Sequence, residues 1–517
     1  MRIERTKNAV RNIVFGVILK LYQIVAPFIL RTAMIYFLGM EYLGLNSLFT
    51  SILSVLNLAE LGVGTAMVFS MYKPIAEDNK EEICALMQLY KVYYRIIGIV
   101  VLIGGIVVTP FLTCLVKGDI PADINIYLIF ALNLMSTVLS YWLYAYKSCL
   151  FSAHQRGDIT SKISMIISTL TYVLQFIVLF LFRNYYVYLM VGIITQIVQN
   201  VMSAAYASRL YPEYQAKGVL SDAKRKDINQ RARDLFTSKV GGVVLNSADT
   251  IVISAFLGIT VLAIYNNYYY IMSSVIGFLE IIFYACTAGI GNSIITETKE
   301  KNYNDFGTLT FLIAWVACVC SCCFLNLYQP FLYIWMNGDV NKMLPFEIVI
   351  CLCVYFFVYE LNRVANVYKD AAGIWHEDRF RPIVTAMVNL VLNLILVQYI
   401  GLFGILLSTV IATVVVNCPW LYSKLFKTVF EQRRLKSYVG RVLTYSGICF
   451  LVVSCSYFVC RNINVDGIIG LFIRLVTSTV ISNVLLVIVY YRLPEFQRAK
   501  GLVFGIINRF KRKEEKA

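Results

Sequence analysis

The chain has 517 residues, 59% of them hydrophobic, and its mean hydropathy is +0.70. A soluble globular protein of this length could not bury so much apolar surface in a core, so this composition excludes that class and indicates a membrane protein. The net charge of +16 could suggest a nucleic-acid partner, but the basic residues are spread over many loops. We therefore expect no nucleic-acid partner, and we expect the charge to set the topology and to attract anionic lipids at the inner face.

Fourteen apolar segments follow one another along the chain, and each approaches or exceeds the ~20 residues that a helix needs to cross a membrane. The runs are continuous rather than alternating, which predicts helices, because lipid offers no partner for unpaired backbone groups. The predicted fold is therefore all-α and polytopic. The segments are 11–36, 44–69, 92–112, 124–146, 163–182, 186–208, 235–257, 262–291, 307–335, 346–368, 381–400, 402–423, 440–460 and 467–491.

Lysine and arginine alternate between the loops that separate these segments. When the N-terminus is counted as the first loop, most of the 46 basic residues lie in odd-numbered loops and the C-terminus. Basic loops stay on the cytoplasmic side, so both termini are predicted to be cytoplasmic. The other seven loops hold only Lys117, Arg183, Lys342 and Arg461.

The chain resembles itself at a nearly constant offset, which predicts an internal repeat of six helices. An even number of helices gives both copies the same orientation, about an axis along the membrane normal. The matched pairs, in chain order, are Phe37–Gly39 with Phe256–Gly258, Glu60 with Glu280, and Tyr146–His154 with Tyr368–His376.

This repeat predicts four parts. Residues 1–208 form an N-terminal lobe of six helices, and residues 209–234 form a cytoplasmic linker. Residues 235–427 form a C-terminal lobe of six helices, and residues 428–517 carry two further helices and a basic cytoplasmic tail. Two lobes of like orientation can enclose a cavity that opens to either side, which is typical of transporters.

The first predicted helix of each lobe carries a charged residue, and such charges cost about 2.5–3.5 kcal/mol on insertion scales. Arg31 precedes Gly39 by eight residues, and the repeat offset places it level with Thr250, beside Asp249. One interpretation is a substrate cavity, in which Arg31 binds phosphate or pyrophosphate and Asp249 binds a cation or proton. The other is a salt bridge between the lobes that closes one state, and the sequence leaves both open.

Three further acidic residues lie inside predicted helices. Glu60 and Glu280 lie near the middle of the second and eighth, where a carboxylate suits ion coupling or packs as a neutral acid. We place Glu60 among the cavity residues as well. Glu360 and Arg363 have the i, i+3 spacing of a pair on one helix face, so we predict a structural ion pair.

The sequence contains no P-loop, no spacing of metal ligands and no Ser/His/Asp arrangement, so we predict no enzymatic activity, no metal and no cofactor. Most of the 14 cysteines lie in apolar segments. We interpret them as small apolar side chains rather than as disulfides or metal ligands.

Diffuse patterns of small and apolar residues recur in three regions. They are Tyr42–Leu53, Glu60–Gly64 and Pro74–Asp78; Asn246–Gly258 with Ile264–Tyr265; and Ala372–Gly373, Asn389–Leu396 and Gly401–Thr409. These patterns resemble the second-helix, seventh-helix and tenth-to-twelfth-helix regions of polysaccharide flippases in the multidrug/oligosaccharidyl-lipid/polysaccharide exporter superfamily. The resemblance extends along most of residues 1–425.

The resemblance implies that the protein moves undecaprenyl-pyrophosphate-linked oligosaccharide from the inner to the outer leaflet of the bacterial cytoplasmic membrane. It also implies alternating access driven by a proton or sodium gradient, and a polysaccharide polymerase as the partner that receives the product. Cavity-facing arginines are typical of the family, and Arg31 fits that expectation.

Three other functions stay open at this point. A multidrug antiporter or a peptidoglycan-precursor flippase belongs to the same superfamily, although the antiporters usually have twelve helices. A membrane-embedded polymerase belongs to another class and needs a sizeable outer loop for its acceptor. The longest predicted outer loop, Thr113–Asp123, is short, which argues against a polymerase.

Overall fold

The structure, a computed structural model, describes residues 5–118 and 120–501, with side chains from residue 16 onward except at 238, 284, 285 and 288. Within these residues every regular element is a helix, and each predicted apolar segment lies mostly on helical backbone. The all-α fold is therefore confirmed. The end of the predicted basic tail, 502–517, lies outside the described residues.

Contacts divide the chain into two compact units, Met1–Asn266 and Asn267–Ala517. The boundary between the units lies C-terminal to the predicted linker 209–234. The assignment of residues to two lobes stays a prediction. The helices of the first unit are α1 (Arg5–Phe37), α2 (Met40–Leu56), α3 (Val63–Ala76), α4 (Lys80–Val108), α5 (Leu112–Leu115), α6 (Ile126–Trp142), α7 (Cys149–Ala153), α8 (Gly157–Leu181), α9 (Tyr185–Leu210), α10 (Asp222–Leu257) and the start of α11 (Ile259–Thr296).

The second unit contains the rest of α11 and six further α-helices among the described residues. A π-helix, Ala412–Asn417, joins two of them. They are α12 (Lys299–Trp335), α13 (Phe346–Ala371), α14 (Arg381–Ile411), α15 (Cys418–Thr428), α16 (Leu435–Arg461) and α17 (Gly467–Tyr490).

Eleven helices in the described part of the chain are long and apolar enough to cross a membrane, or up to twelve if the bent pair α6 and α7 counts as one span. One of the eleven, Arg381–Thr428, has 48 residues, and non-helical backbone at Ile400 and Gly401 interrupts it. The multi-pass membrane class is therefore confirmed. The number of fourteen spans and the side on which the termini lie stay predictions.

The two Phe-Leu-Gly motifs of the predicted repeat end their helices in the same way. The backbone φ is +127° at Gly39 and +102° at Gly258, a region that glycine adopts without strain. The N–H of each glycine donates to the carbonyl five residues earlier, at 3.1 Å for Met34 and 3.0 Å for Ile253. The motif thus encodes the same helix ending at both positions.

Helix α10 packs against α2 and α3 within the first unit. At Gly44 of α2, a Cβ would overlap the carbonyl oxygen of Ile259, the first residue of α11. At Gly62, where φ is +91°, a Cβ would lie 2.5 Å from the carbonyl oxygen of Ala232. Small residues therefore let these helix backbones approach each other, as is common between membrane helices.

Candidate functional site

Arg31 and Asp249, the pair predicted to face each other across the lobes, both lie in the first unit. Arg31 is half-buried on α1, and its Nη1 donates to the main-chain oxygen of Asn266 at 2.7 Å. Asp249 is half-buried on α10, between the buried Ala248 and Thr250. Their roles in binding pyrophosphate and a cation stay predictions.

Glu60 lies at a break between α2 and α3 and not inside one continuous helix. It ends a short 3-10 helix, Asn57–Glu60, and Gly62 then adopts a left-handed conformation before α3 begins. Its Oε1 accepts from the Tyr94 hydroxyl at 2.8 Å, and its Oε2 accepts from the Tyr141 hydroxyl at 2.9 Å. Broken helices are typical of binding sites in transporters, because they free backbone and side-chain groups at membrane depth.

The sequence did not identify Tyr94 and Tyr141 as partners of Glu60. Tyr90 donates to the Tyr94 hydroxyl at 2.6 Å, so the hydrogen bonds extend one residue further from Glu60. Both carboxylate oxygens of Glu60 therefore accept a hydrogen bond from a phenol group. A cation that bound there would have to displace these hydrogen bonds.

Glu360 and Arg363 lie together on α13 in the second unit. Arg363 Nη2 is 3.4 Å from Glu360 Oε1, with both side chains buried. Neither oxygen of Glu360 accepts a hydrogen bond from the described residues. Arg363 Nη1 donates to the main-chain oxygen of Ile276 at 3.2 Å, so α13 is tied to α11 through this side chain.

A cavity of about 340 Å³ lies beside this ion pair, wholly within the second unit. Glu280, the third predicted coupling residue, is exposed and lines the cavity together with Arg363. Unlike Glu60, Glu280 lies inside a continuous helix, α11. The structure therefore places Glu280, Glu360 and Arg363 around one cavity, although the sequence offered no link between Glu280 and the pair.

A polar network continues from this cavity toward α14 and the π-helix. Arg381 donates to both carboxylate oxygens of Asp378 at 2.7 Å and to Asn366 Oδ1 at 3.0 Å. It also donates to Asn417, the last residue of the π-helix. The π-helix is a feature that often marks functional sites. The sequence analysis missed these residues, because no spacing links Asn366, Arg381 and Asn417 before the helices pack.

A groove of about 750 Å³ lies in the first unit, between the start of α4 and the loop 211–221. Glu82 pairs with Lys224 at 2.6 Å, and Lys80 pairs with Glu213. Both ends of the loop 211–221 are therefore fixed to α4. These ion pairs are exposed or half-exposed, so each adds little stability.

His154, beside this groove, is buried and stacks on Tyr211 with the ring centroids 4.3 Å apart. Its Nδ1 lies 2.9 Å from the Leu150 carbonyl oxygen, and its Nε2 has no hydrogen-bond partner among the described residues. Burial lowers the pKa of this imidazole below its usual value of 6.5. Burial therefore favours the neutral form of His154 where it packs against Tyr211, within the first unit.

Within the described residues, no group of three or more His, Cys, Asp or Glu side chains could hold a metal ion. All 14 cysteines are free, and most are buried or half-buried in helices.

The fold is that of transporters in the MOP superfamily. The lipid II flippase MurJ in an inward closed conformation is similar with a TM-score of 0.65 and 13% identity, over 93% of this chain and 99% of that one. An inward-facing MATE family multidrug resistance transporter has a TM-score of 0.62 and 15% identity, over 80% of this chain and 99% of that one. A MOP superfamily transporter from Pyrococcus furiosus has a TM-score of 0.54 and 13% identity, over 83% of this chain and 96% of that one. At these identities the likeness shows the fold alone.

Residues 9–287 match the family model described as polysaccharide biosynthesis protein. This match covers more than half of the chain, and the chain belongs to that family. The resemblance drawn from the sequence is thereby confirmed. No curated protein matches the chain.

Proposed function

We propose that the protein flips undecaprenyl-pyrophosphate-linked oligosaccharide from the inner to the outer leaflet of the bacterial cytoplasmic membrane by alternating access. One observation carries this proposal, namely that a chain of the polysaccharide biosynthesis protein family has the fold of a lipid flippase and of multidrug exporters. A lipid-linked repeat unit is both a precursor of polysaccharide and an amphipathic molecule. It is therefore the substrate that fits both the family and the fold. A polysaccharide polymerase would then take the product on the outer side.

In this proposal Arg31 binds the pyrophosphate. A guanidinium suits that role because its planar donors match two oxygens of a phosphate group. Half-burial in a membrane helix supports it, since an arginine there is costly without a function. Its hydrogen bond to the carbonyl of Asn266 is one that a phosphate oxygen could replace.

An ion gradient drives the cycle in this proposal, through proton or sodium binding at Asp249, Glu60 and Glu280. The Glu60 geometry supports such a role, since its carboxylate has two phenol partners that a bound ion would displace. Glu280 is exposed and lines a cavity, so an ion could reach its carboxylate. The Glu360–Arg363 pair is structural in this scheme.

A peptidoglycan-precursor flippase is the second candidate. The lipid II flippase aligns with 93% of this chain, and the inward-facing multidrug resistance transporter aligns with 80%. The larger alignment favours a peptidoglycan-precursor flippase over a multidrug antiporter. Both candidates use the same class of substrate, a sugar on a polyprenyl pyrophosphate.

The sidedness of lipid-linked oligosaccharide in cells depleted of this protein tests the proposal. A membrane-impermeant glycan probe should find repeat units trapped on the cytoplasmic face, and their composition would identify the glycan. Trapped peptidoglycan precursor would support the second candidate instead. Unpolymerised units on the outer face, or no accumulation, would contradict the flippase proposal.

A further inference from the structure

The cavity of the second unit has a lining that differs from that of an ion site. Its volume of about 340 Å³ falls within the range of about 300–1,000 Å³ typical of small-molecule pockets. Phe283 and Tyr359 line it, with the Arg363 guanidinium 5.8 and 5.1 Å from their ring centroids. Aromatic walls with a few fixed polar groups are typical of pockets for organic ligands.

The charges around the cavity decide which ligand it can accept. The charge of Arg363 is balanced by Glu360 at 3.4 Å, and Asp370 at the rim is balanced by Lys369 at 2.7 Å. Glu280 has no ion pair with the described residues, so the lining is net negative. Such a cavity disfavours pyrophosphate or an acidic sugar and favours groups that donate hydrogen bonds.

Two asparagines supply the remaining polar groups. Asn362 Nδ2 donates to Asn417 Oδ1 at 3.3 Å, and Asn366 Nδ2 donates to the Asn362 carbonyl at 3.1 Å. A side-chain amide has two donor hydrogens, so each keeps one N–H for a ligand. Both amides are held by protein contacts, which fixes the directions in which they can bind.

We propose that this cavity binds a neutral sugar of the transported glycan, an inference that rests on the proposed flippase function. The sugar hydroxyls donate to Glu280 and exchange hydrogen bonds with Asn362 and Asn366, while the apolar face of the ring packs on Tyr359. The pyrophosphate is held elsewhere, because this cavity has no unbalanced positive charge.

A metal cation is the other ligand that a carboxylate suggests. Cations such as calcium need six to eight oxygen ligands at close range. No group of three or more His, Cys, Asp or Glu side chains capable of holding a metal exists in the described residues. Aromatic walls and amide donors also serve no purpose around a cation of that kind. The lining therefore fits a sugar better.

Binding of the free oligosaccharide to the purified full-length protein tests this inference. The probe is the repeat unit released from its lipid by mild acid, and binding is followed by saturation-transfer NMR. We expect Tyr359→Ala and Glu280→Gln each to weaken binding about tenfold, the effect of one good contact. Tyr399→Ala and Glu347→Gln change exposed residues outside the cavity and should bind as the wild type does.

Other results would contradict either this inference or the proposed function. If Tyr359→Ala and Glu280→Gln bind like the wild type, or if inorganic pyrophosphate displaces the oligosaccharide, the assignment of the cavity to a neutral sugar is wrong. Transport of the lipid-linked form in proteoliposomes is measured on the same preparation. A wild-type protein that transports but does not bind the released oligosaccharide overturns this inference alone. One that transports nothing contradicts the proposed function itself.

Discussion

Glu360 and Arg363 form a buried ion pair, so the stability of each charge depends on the other residue. Removing the arginine would leave the fully buried Glu360 without a counter-charge or a hydrogen bond from the described residues. Breaking a buried pair from one side typically costs about 3–5 kcal/mol, whereas replacing both partners costs much less. We therefore expect Arg363→Met to lower the thermal midpoint of the purified protein strongly and the double variant Glu360→Gln/Arg363→Met to recover most of it. Equal losses in both variants would contradict this account.

His154 predicts a pH dependence of stability. Its folded pKa is lowered by burial, so between that value and 6.5 the unfolded chain binds a proton that the folded chain does not. The contribution of His154 is thus complete above pH 6.5 and is lost as the pH falls below it. The negative charge of nearby Glu213 raises the pKa of His154, but by less than burial lowers it. The rings of Tyr211 and Tyr214 pack against the imidazole and carry no charge.

Thermal unfolding between about pH 8 and about pH 5 checks this prediction. His154→Phe keeps the stack on Tyr211 but cannot be protonated, so part of the acid destabilisation should disappear. His376 is the matched control, because it occupies the corresponding position in the predicted repeat and is exposed. If His154→Phe and His376→Phe give the same pH profile as the wild type, His154 is not the group responsible.

At the scale of the element, the two Phe-Leu-Gly helix endings depend on a positive φ. A side chain at Gly39 or Gly258 would be strained by about 1–3 kcal/mol. We expect Gly39→Ala and Gly258→Ala to lower the thermal midpoint of the purified protein by similar amounts. Gly242→Ala on α10 should not lower it, since a Cβ there meets nothing within 4 Å and its φ is ordinary. Unequal effects at the two repeat positions would argue against a shared helix ending.

The elements were largely predictable from the sequence, and the site was not. Apolar runs of membrane length predict helices because lipid leaves the backbone no other structure. The break at Glu60 was missed, because Leu61 and its apolar neighbours continue the hydrophobic run across it. The Tyr94 and Tyr141 partners of Glu60, and the link from Arg381 to Asn417, arise only when distant helices pack.

For the whole molecule, the proposed ion coupling predicts a change in gradient dependence. Asp249→Asn keeps the size of the side chain on α10 but removes its negative charge, so position 249 can neither carry an acidic proton nor neutralise a bound cation. We expect transport by this variant to lose its response to an imposed proton or sodium gradient. Asp466→Asn, an exposed change just before α17, should keep that response. An Asp249→Asn protein with unchanged gradient dependence would exclude Asp249 from coupling.

The most direct test of the central claim is transbilayer movement of the purified lipid-linked oligosaccharide in proteoliposomes, followed with an impermeant probe. The wild type should move the lipid to the opposite leaflet, and Arg31→Ala should abolish movement while the protein stays folded and inserted. Arg474→Ala is the matched control, since Arg474 also lies in a membrane helix and donates to a main-chain carbonyl, that of Ile463 at 2.9 Å. Wild-type protein that leaves the lipid where it was loaded would contradict the flippase account.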